Sequence, residues 1–370
     1  MLAESGVLKT VGTFLKDKED GELTALTLSA LKNQGASLID IKDYLDLTNI
    51  TKTASELRNL QIAGAFTEFA FQKLVGEVEE TIEGDKQVKH SSLQRKVEAL
   101  LDDEAALKKF AAKFPGADAQ YLDFPLPVMV QSGGDFSTSK FQLDSNANKL
   151  QSQAIYINCC GKYGDMATMA SRTLIVNPKE EQKQAYLLCH EAHELLINSL
   201  KVGSPVSAAF RAARDLIASK NPKLQMHSNF GFGTGYHFKE DLLLISESND
   251  TLVKPNMAFH VRIALANVHH EPARSVVAIG DTVFVTATGT VEVVTQKIQK
   301  KYAEISYSLD DSEEEEAPKT KALSATTKPQ MPDSDEEESE EEEGSDEILV
   351  QGRTGISVIK SARLRSKADT

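Results

Sequence analysis

His190 and His193 stand in the run HEAHE, and histidines beside glutamates on a helix are the raw material of a hydrolytic zinc site. Such a site needs its two histidines four residues apart, so that both imidazoles leave one helical face with the intervening Glu as general base. Here the spacing is three and position 194 is Glu, so the run reads as a polar helix face. The neighbouring pair in VHHEP, at 268 to 272, falls on an expected loop and reads as two surface histidines. A third stretch, NFGFGTGYHFKE from Asn229 to Glu240, places glycines at 231, 233 and 235, a backbone suited to close approach. It is not GxGxxG and precedes strands rather than opening a helix, so no pyrophosphate cradle is expected. The three cysteines, Cys159, Cys160 and Cys189, form no CxxC pair and suit small hydrophobes in a reducing compartment.

These residues must be positioned by a chain of 370 residues that is 41% hydrophobic, enough for at least one large core. Its net charge of −14 is concentrated: Leu309 to Glu347 holds seventeen Asp or Glu against three Lys, and the remainder is neutral. A near-neutral globular body therefore carries one acidic tract, which calls for a basic partner. No apolar run suits a membrane span and the amino terminus lacks a secretory pattern, so no membrane association is expected.

Residues 1–50 read as the remnant of an amino-terminal lobe, with VGTFL strand-like and SLIDIKDYL as a strand. Thr53 and Glu56 form a capping-box pattern opening a long amphipathic helix with apolar Leu57, Leu60, Phe66, Phe69, Leu74 and Val78; Ser91 and Gln94 suggest a second such start. QAIYIN and RTLIVN read as strands, with Asn177 and Pro178 leading a helix that ends at Gly203, and Pro205 opens the next helix. DLLLISE, NMAFHVRIAL and SVVAIGDTVFVTATGTVEVVT read as strands. Helices followed by strands without βαβ alternation predict an α+β domain over 51–308 with an antiparallel-rich sheet. The tract at 309–347 is too polar to fold alone and reads as a disordered linker; 348–370 reads as the start of a following domain.

Read together, NCCGKYGDMATMASRTLIV, NFGFGTGYHFKE, KPNMAFHVRI and IGDTVFVT resemble, in order and spacing, the four metal-bearing segments of the pita-bread (creatinase/aminopeptidase-like) peptidases. That resemblance implies the pita-bread fold with a truncated amino-terminal lobe. Active members supply two Asp, one His and two Glu to two divalent cations about 3.5 to 4 Å apart, which activate a water. With Arg172-Thr173 as anchor, the ligand positions fall on Asn158, Met169, Phe232, Arg262 and Gly280. None is a ligand of the family, and a fixed guanidinium stands where dications would sit. The resemblance thus implies no catalytic residues, no metal and no cofactor, with Gly231, Phe232, Gly233 and Gly235 left as a peptide groove.

Within that fold the chain resembles the large subunits of the FACT histone chaperone, on GDKQVKHSSLQRKVE, VMVQSGGDFS, RTLIVNP, the glycine stretch, the IGDTV strand, the acidic run and GRTGISVIKSARLRSK. The family implies non-catalytic histone binding for nucleosome disassembly and reassembly in transcription, replication and repair, in the nucleus on chromatin. Implied partners are histones (the H2B-containing dimer and/or H3-H4), a smaller HMG-type subunit through regions beyond this chain, and nucleosomal DNA indirectly. The tract can span up to about 130 Å at roughly 3.3 Å per residue. Its expected histone-binding residues are Asp310, Asp311, Glu313, Glu314, Glu315, Glu316, Asp335, Glu336, Glu337, Glu338, Glu340, Glu341, Glu342 and Glu343. Ser312, Ser334 and Ser339 each precede an acidic residue by three, the pattern of acidophilic kinases, and phosphate would deepen the charge. The rival expectations are a live metal-dependent aminopeptidase and a non-catalytic pita-bread protein that binds RNA or ribosomes; the latter predicts basic rather than acidic appendages.

Overall fold

The computed structural model describes residues 9–13, 21–134, 136, 145–235, 238–268, 275–309 and 364–366. Strand β1 (Thr10–Thr13), helix α1 (Glu22–Asn33) and strand β2 (Ser37–Asp40) form a unit whose two strands pair in parallel. SLIDIKDYL is strand only through Asp40, because Lys42–Asn49 is helical (α2). Helix α3 (Ala54–Glu83) follows, opened by the capping box in which Thr53 and Glu56 satisfy each other's backbone N–H. Its buried stripe includes Leu60, Phe66, Leu74 and Val78.

Helix α4 (His90–Glu98) starts two residues earlier than the Ser91 cap would place it, with Lys89 as N-cap and no side-chain cap. Gln94 does not close a box; its amide donates to Glu98 and its oxygen accepts from the Ser145 N–H, tying α4 to a loop. After α5 (Glu104–Ala111) come short strands β3 (Leu122–Asp123) and β4 (Met129–Ser132), then the long hairpin β5 (Ala154–Tyr163) and β6 (Met166–Val176). The expected strands are only its outer halves. Asn177 leaves β6 with φ 47°, so the next helix, α6, runs Glu180–Ser199 rather than from Pro178 to Gly203. Helix α7 (Val206–Lys220) has Pro205 as N-cap.

Strands β7 (Gln225–Met226), β8 (Gly231–Gly233), β9 (Ala258–Val268), β10 (Ser275–Val285) and β11 (Val291–Val293) complete most of the sheet. DLLLISE is not a strand: Asp241–Leu243 form one 3-10 turn, and Asn249 holds the carbonyls of Leu242 and Leu244. Helix α8 (Tyr302–Ile305) leads into β12 (Ser306–Leu309), which lies parallel to β6 and antiparallel to β13 (Leu364–Ser366). The central order is β5, β6, β10, β9, all antiparallel.

Because side chains alternate across a strand, this sheet has two different faces. One presents Ile155, Ile157, Leu174, Val277, Ile279, Val261 and Ile263 to α3 and α6, in one buried core with Phe71, Leu74, Cys189 and Ala192. The opposite face carries the candidate site. Among the described residues no helix is long and apolar enough to cross a membrane. The acidic residues and serines between 310 and 347, the VHHEP histidines and the expected following domain, except β13, lie outside the described residues.

Candidate functional site

The register of four strands assembles the site. Asn158 on β5 faces Ser171 on β6, Ser171 faces Gly280 on β10, and Gly280 faces Arg262 on β9, giving one row across the sheet. Met169 lies two residues from Ser171 on the same face, paired with Cys160, and Phe232 on β8 faces His260 two residues from Arg262. All five positions assigned from the resemblance thus share one face and are buried.

What they present is not a hard-cation site. By pleat alternation, no Asp or Glu lies on this face of β5, β6, β9 or β10. A Cβ on Gly280 would collide with Ser171 Oγ and lie 3.2 Å from Arg262 Cγ, so glycine here leaves room for the serine hydroxyl and for the arginine stem that crosses β10. Arg262 Nη1 then donates to the Tyr156 hydroxyl from β5 at 3.2 Å. The guanidinium is thus held on the face that carries the five positions. Asn158 Oδ1 and Nδ2 and Ser171 Oγ are buried with no hydrogen-bond partner among the described residues. His260 packs at a tilt against Phe232, with ring centroids 5.6 Å apart, and burial, followed by Arg262, lowers its pKa to about 3. These residues do not fit two divalent cations: the five positions offer one amide oxygen, one thioether and a fixed positive charge, and no carboxylate. Among the described residues no cluster of His, Cys, Asp or Glu suits a metal.

The acidic residues nearest in sequence are engaged elsewhere. Glu240, whose pKa burial raises against the pull of Lys52, pairs with Lys52 Nζ at 2.6 Å. Asp281 points to the helical face, where its carboxylate takes Arg172 Nη2 at 2.8 Å and the Thr295 hydroxyl at 2.9 Å. Burial raises the Asp281 pKa, but Arg172 and Lys300 more than offset this and hold it low. Arg172 also donates to the carbonyls of Ser171, Gly280, Ile298 and Gln299, so the buried pair staples β6, β10 and the 295–300 segment together.

The glycine stretch approaches the chain itself. Gly231 has φ 131°, and a Cβ there would fall on the His260 carbonyl; Gly233 lies against Leu243 and Gly235 against Lys52. With all four positions buried, the expected peptide groove at 231, 232, 233 and 235 is occupied by protein. The HEAHE reading is also corrected. His190 is half-buried, but His193 is wholly buried, 3.7 Å from Asp281, and burial lowers its pKa to about 3. The signal for its position is in the sequence: Tyr186, Cys189, Leu196 and Leu200 flank it in one apolar stripe. Ser171 and Tyr156 carry no sequence signal, since only the register brings them to the row. The cysteines are buried, and burial raises each thiol pKa, so none is a nucleophile.

Comparison with known proteins agrees with this geometry. The FACT complex subunit SPT16 of Zea mays is 27% identical over 85% of this chain and 30% of its own length, and that of Arabidopsis thaliana gives the same figures. The chain therefore spans about 30% of the curated relatives it matches. The solved N-terminal domain of FACT complex subunit SPT16 from Cicer arietinum superposes with a TM-score of 0.73 at 26% identity, covering 82% of this chain and 72% of that one. The prolidase from Pyrococcus furiosus, at 19% identity and a TM-score of 0.59 over 78% of this chain and 76% of that one, shares the pita-bread fold. A family model, "Metallopeptidase family M24", matches residues 58–287, more than half of the sequence, and the chain belongs to that family.

Proposed function

We propose that this chain is a non-catalytic M24 unit of a FACT-type large subunit, which binds histones without ATP and without covalent chemistry. The observation that carries the reading is the positive charge of this sheet face, where Arg262 crosses Gly280 to Tyr156 and no carboxylate lies on the same face of the four central strands. A divalent pair is repelled there, and without it the fold has no means to activate water. The similarity to SPT16 proteins supports a place in a FACT complex, and so a nuclear, chromatin-associated role in transcription, replication and repair.

The acidic tract supplies the affinity in this reading. Asp310, Asp311, Glu313 to Glu316, Asp335 to Glu338 and Glu340 to Glu343 compete with DNA phosphates for histone Lys and Arg, and phosphorylation of Ser312, Ser334 and Ser339 strengthens the competition. Binding of this kind weakens steeply with salt. The test is histone pulldown by the full chain and by a chain ending at residue 308, at two salt concentrations, with the H2B-containing dimer and H3-H4 offered separately. The full chain is expected to retain histones at low salt and release them at high salt, and the shorter chain to retain less. Failure of both at low salt, or metal-dependent release of amino-terminal residues from peptides, overturns the proposal.

A further inference from the structure

We propose that the outer edge of β12 is a strand-addition site, which the chain fills with its own Leu364–Ser366 and which exchanges that strand for another extended segment of basic sequence. Strand β13 is three residues long and lies at the end of the strand order, and its one strand neighbour among the described residues is β12. The two edges of β12 differ. The Asn177 N–H donates to the Tyr307 carbonyl, and Asn177 Oδ1 accepts from the Leu309 N–H at 2.9 Å, so the backbone groups of 307 and 309 point to the β6 side. Backbone groups alternate in direction along a strand, which turns those of Ser308 to the other edge, opposite Arg365. Anchoring of β12 does not depend on β13: Tyr307 is buried, and its hydroxyl donates to Glu79 on α3 at 2.9 Å. A strand fixed on one side and open on the other is the arrangement that accepts an added strand.

Register and charge select what is added. Leu309 pairs with Leu364, and the residues that follow are Asp310 and Asp311 on one strand and Arg363 on the other, so an antiparallel occupant of basic sequence is matched to the start of the acidic run. Glu79, with Glu83 one turn further along α3 acting on it as a like charge, adds negative charge beside the same strand. The internal occupant is exchangeable because three residue pairs must offset the closure of a loop spanning residues 310–363. The assignment does not rest on the histone reading, since its ligand is a segment of this chain.

The test uses the full chain and a fluorescent peptide of residues 361–369, SARLRSKAD. Arg365→Pro removes the backbone N–H that faces Ser308 and vacates the edge, whereas Arg365→Gln removes the same charge and keeps the strand. In fluorescence anisotropy at constant ionic strength, Arg365→Pro is expected to bind the peptide at least about threefold more tightly than Arg365→Gln, because its edge is no longer occupied internally. A scrambled peptide of the same composition is expected to bind less tightly than the native order. Ser308→Pro, added to Arg365→Pro, removes the N–H of the accepting edge and leaves both Asn177 bonds in place, so the chain is expected to keep its urea midpoint and lose the peptide. The proposal is overturned if the Pro and Gln variants at 365 bind the peptide alike, if the scrambled peptide binds as well as the native one, or if Ser308→Pro retains it.

Discussion

His193 gives the most direct test of how the interior is built. The imidazole is wholly buried under α6, with neither ring nitrogen hydrogen-bonded, and faces Asp281, Arg172, Lys300 and His190. Burial, with Arg172 and Lys300 adding to it, outweighs the attraction of Asp281 and sets its pKa at about 3, against about 6.5 in an unfolded chain. The unfolded state therefore binds a proton between pH 6.5 and pH 3 that the folded state refuses. Stability from this group is complete above pH 6.5 and falls with pH by about 1.4 kcal/mol per unit, or about 2 kcal/mol between pH 7 and pH 5. His260, with a pKa of about 3, contributes a fall of the same sign and similar size.

Glu79 acts in the opposite direction, because burial raises its pKa to about 7 despite the Tyr307 hydrogen bond, and its folded form gains a proton over the same range. The diagnostic quantity is accordingly the difference between the parent chain and His193→Leu, each unfolded by urea at pH 7 and pH 5. Circular dichroism is the readout, since the chain has no Trp. The variant forfeits no hydrogen bond and is expected to lie within about 1.5 kcal/mol of the parent at pH 7. Its fall in stability between the two pH values should be smaller by about 2 kcal/mol. If the fall is unchanged, the imidazole is protonated or hydrated in the folded chain and the reasoning fails.

Removing Arg172 (to Met) or Asp281 (to Leu) alone should cost about 3–5 kcal/mol in urea unfolding, and the double variant clearly less than the sum; additivity would mean the pair is not coupled. Gly231→Ala should cost more than about 2 kcal/mol, because the methyl group meets the His260 carbonyl, whereas Gly76→Ala on an open face of α3 should stabilise by up to about 1 kcal/mol; equal effects would refute the close-approach reading. Phe232→His restores the one imidazole of the peptidase set, yet calorimetry with Mn²⁺ should show no binding while Arg262 remains; measurable binding would show that the charge inversion does not decide metal exclusion.

Periodicity makes the long elements legible. The Thr53/Glu56 box and the apolar stripe of α3 need no tertiary information, and Pro205 marks the start of α7. Local signals mislead where they compete with packing. Ser91 and Gln94 have the spacing of a box, but Gln94 is drawn into bonds with Glu98 and Ser145, and the helix starts earlier. DLLLISE has strand composition, yet its neighbours Asn249 and Thr251 capture the carbonyl of Leu242 and hold it as a turn. Hairpin β5–β6 reads short in the sequence because NCCGKYGDMATMAS is built largely of small and polar residues, although Cys160, Ala167 and Met169 pack into a small core on the site face.

That mismatch explains why the site is only half readable. Chain order places Asn158, Met169, Phe232, Arg262 and Gly280 in correspondence with ligands, and the structure brings all five to one face. Spacing cannot say what fills the space after ligands are lost. Gly280 looks like a deletion of function, whereas without a Cβ it opens the path by which Arg262 reaches Tyr156. The two positions are neighbours in packing: a Cβ at 280 would collide with Ser171 Oγ and crowd the arginine stem, and a short residue at 262 would leave a polar floor without its charge. The guanidinium held on this row is a fixed positive charge, so the face stays polar and repels metal cations by the same contact that ties β9 to β5.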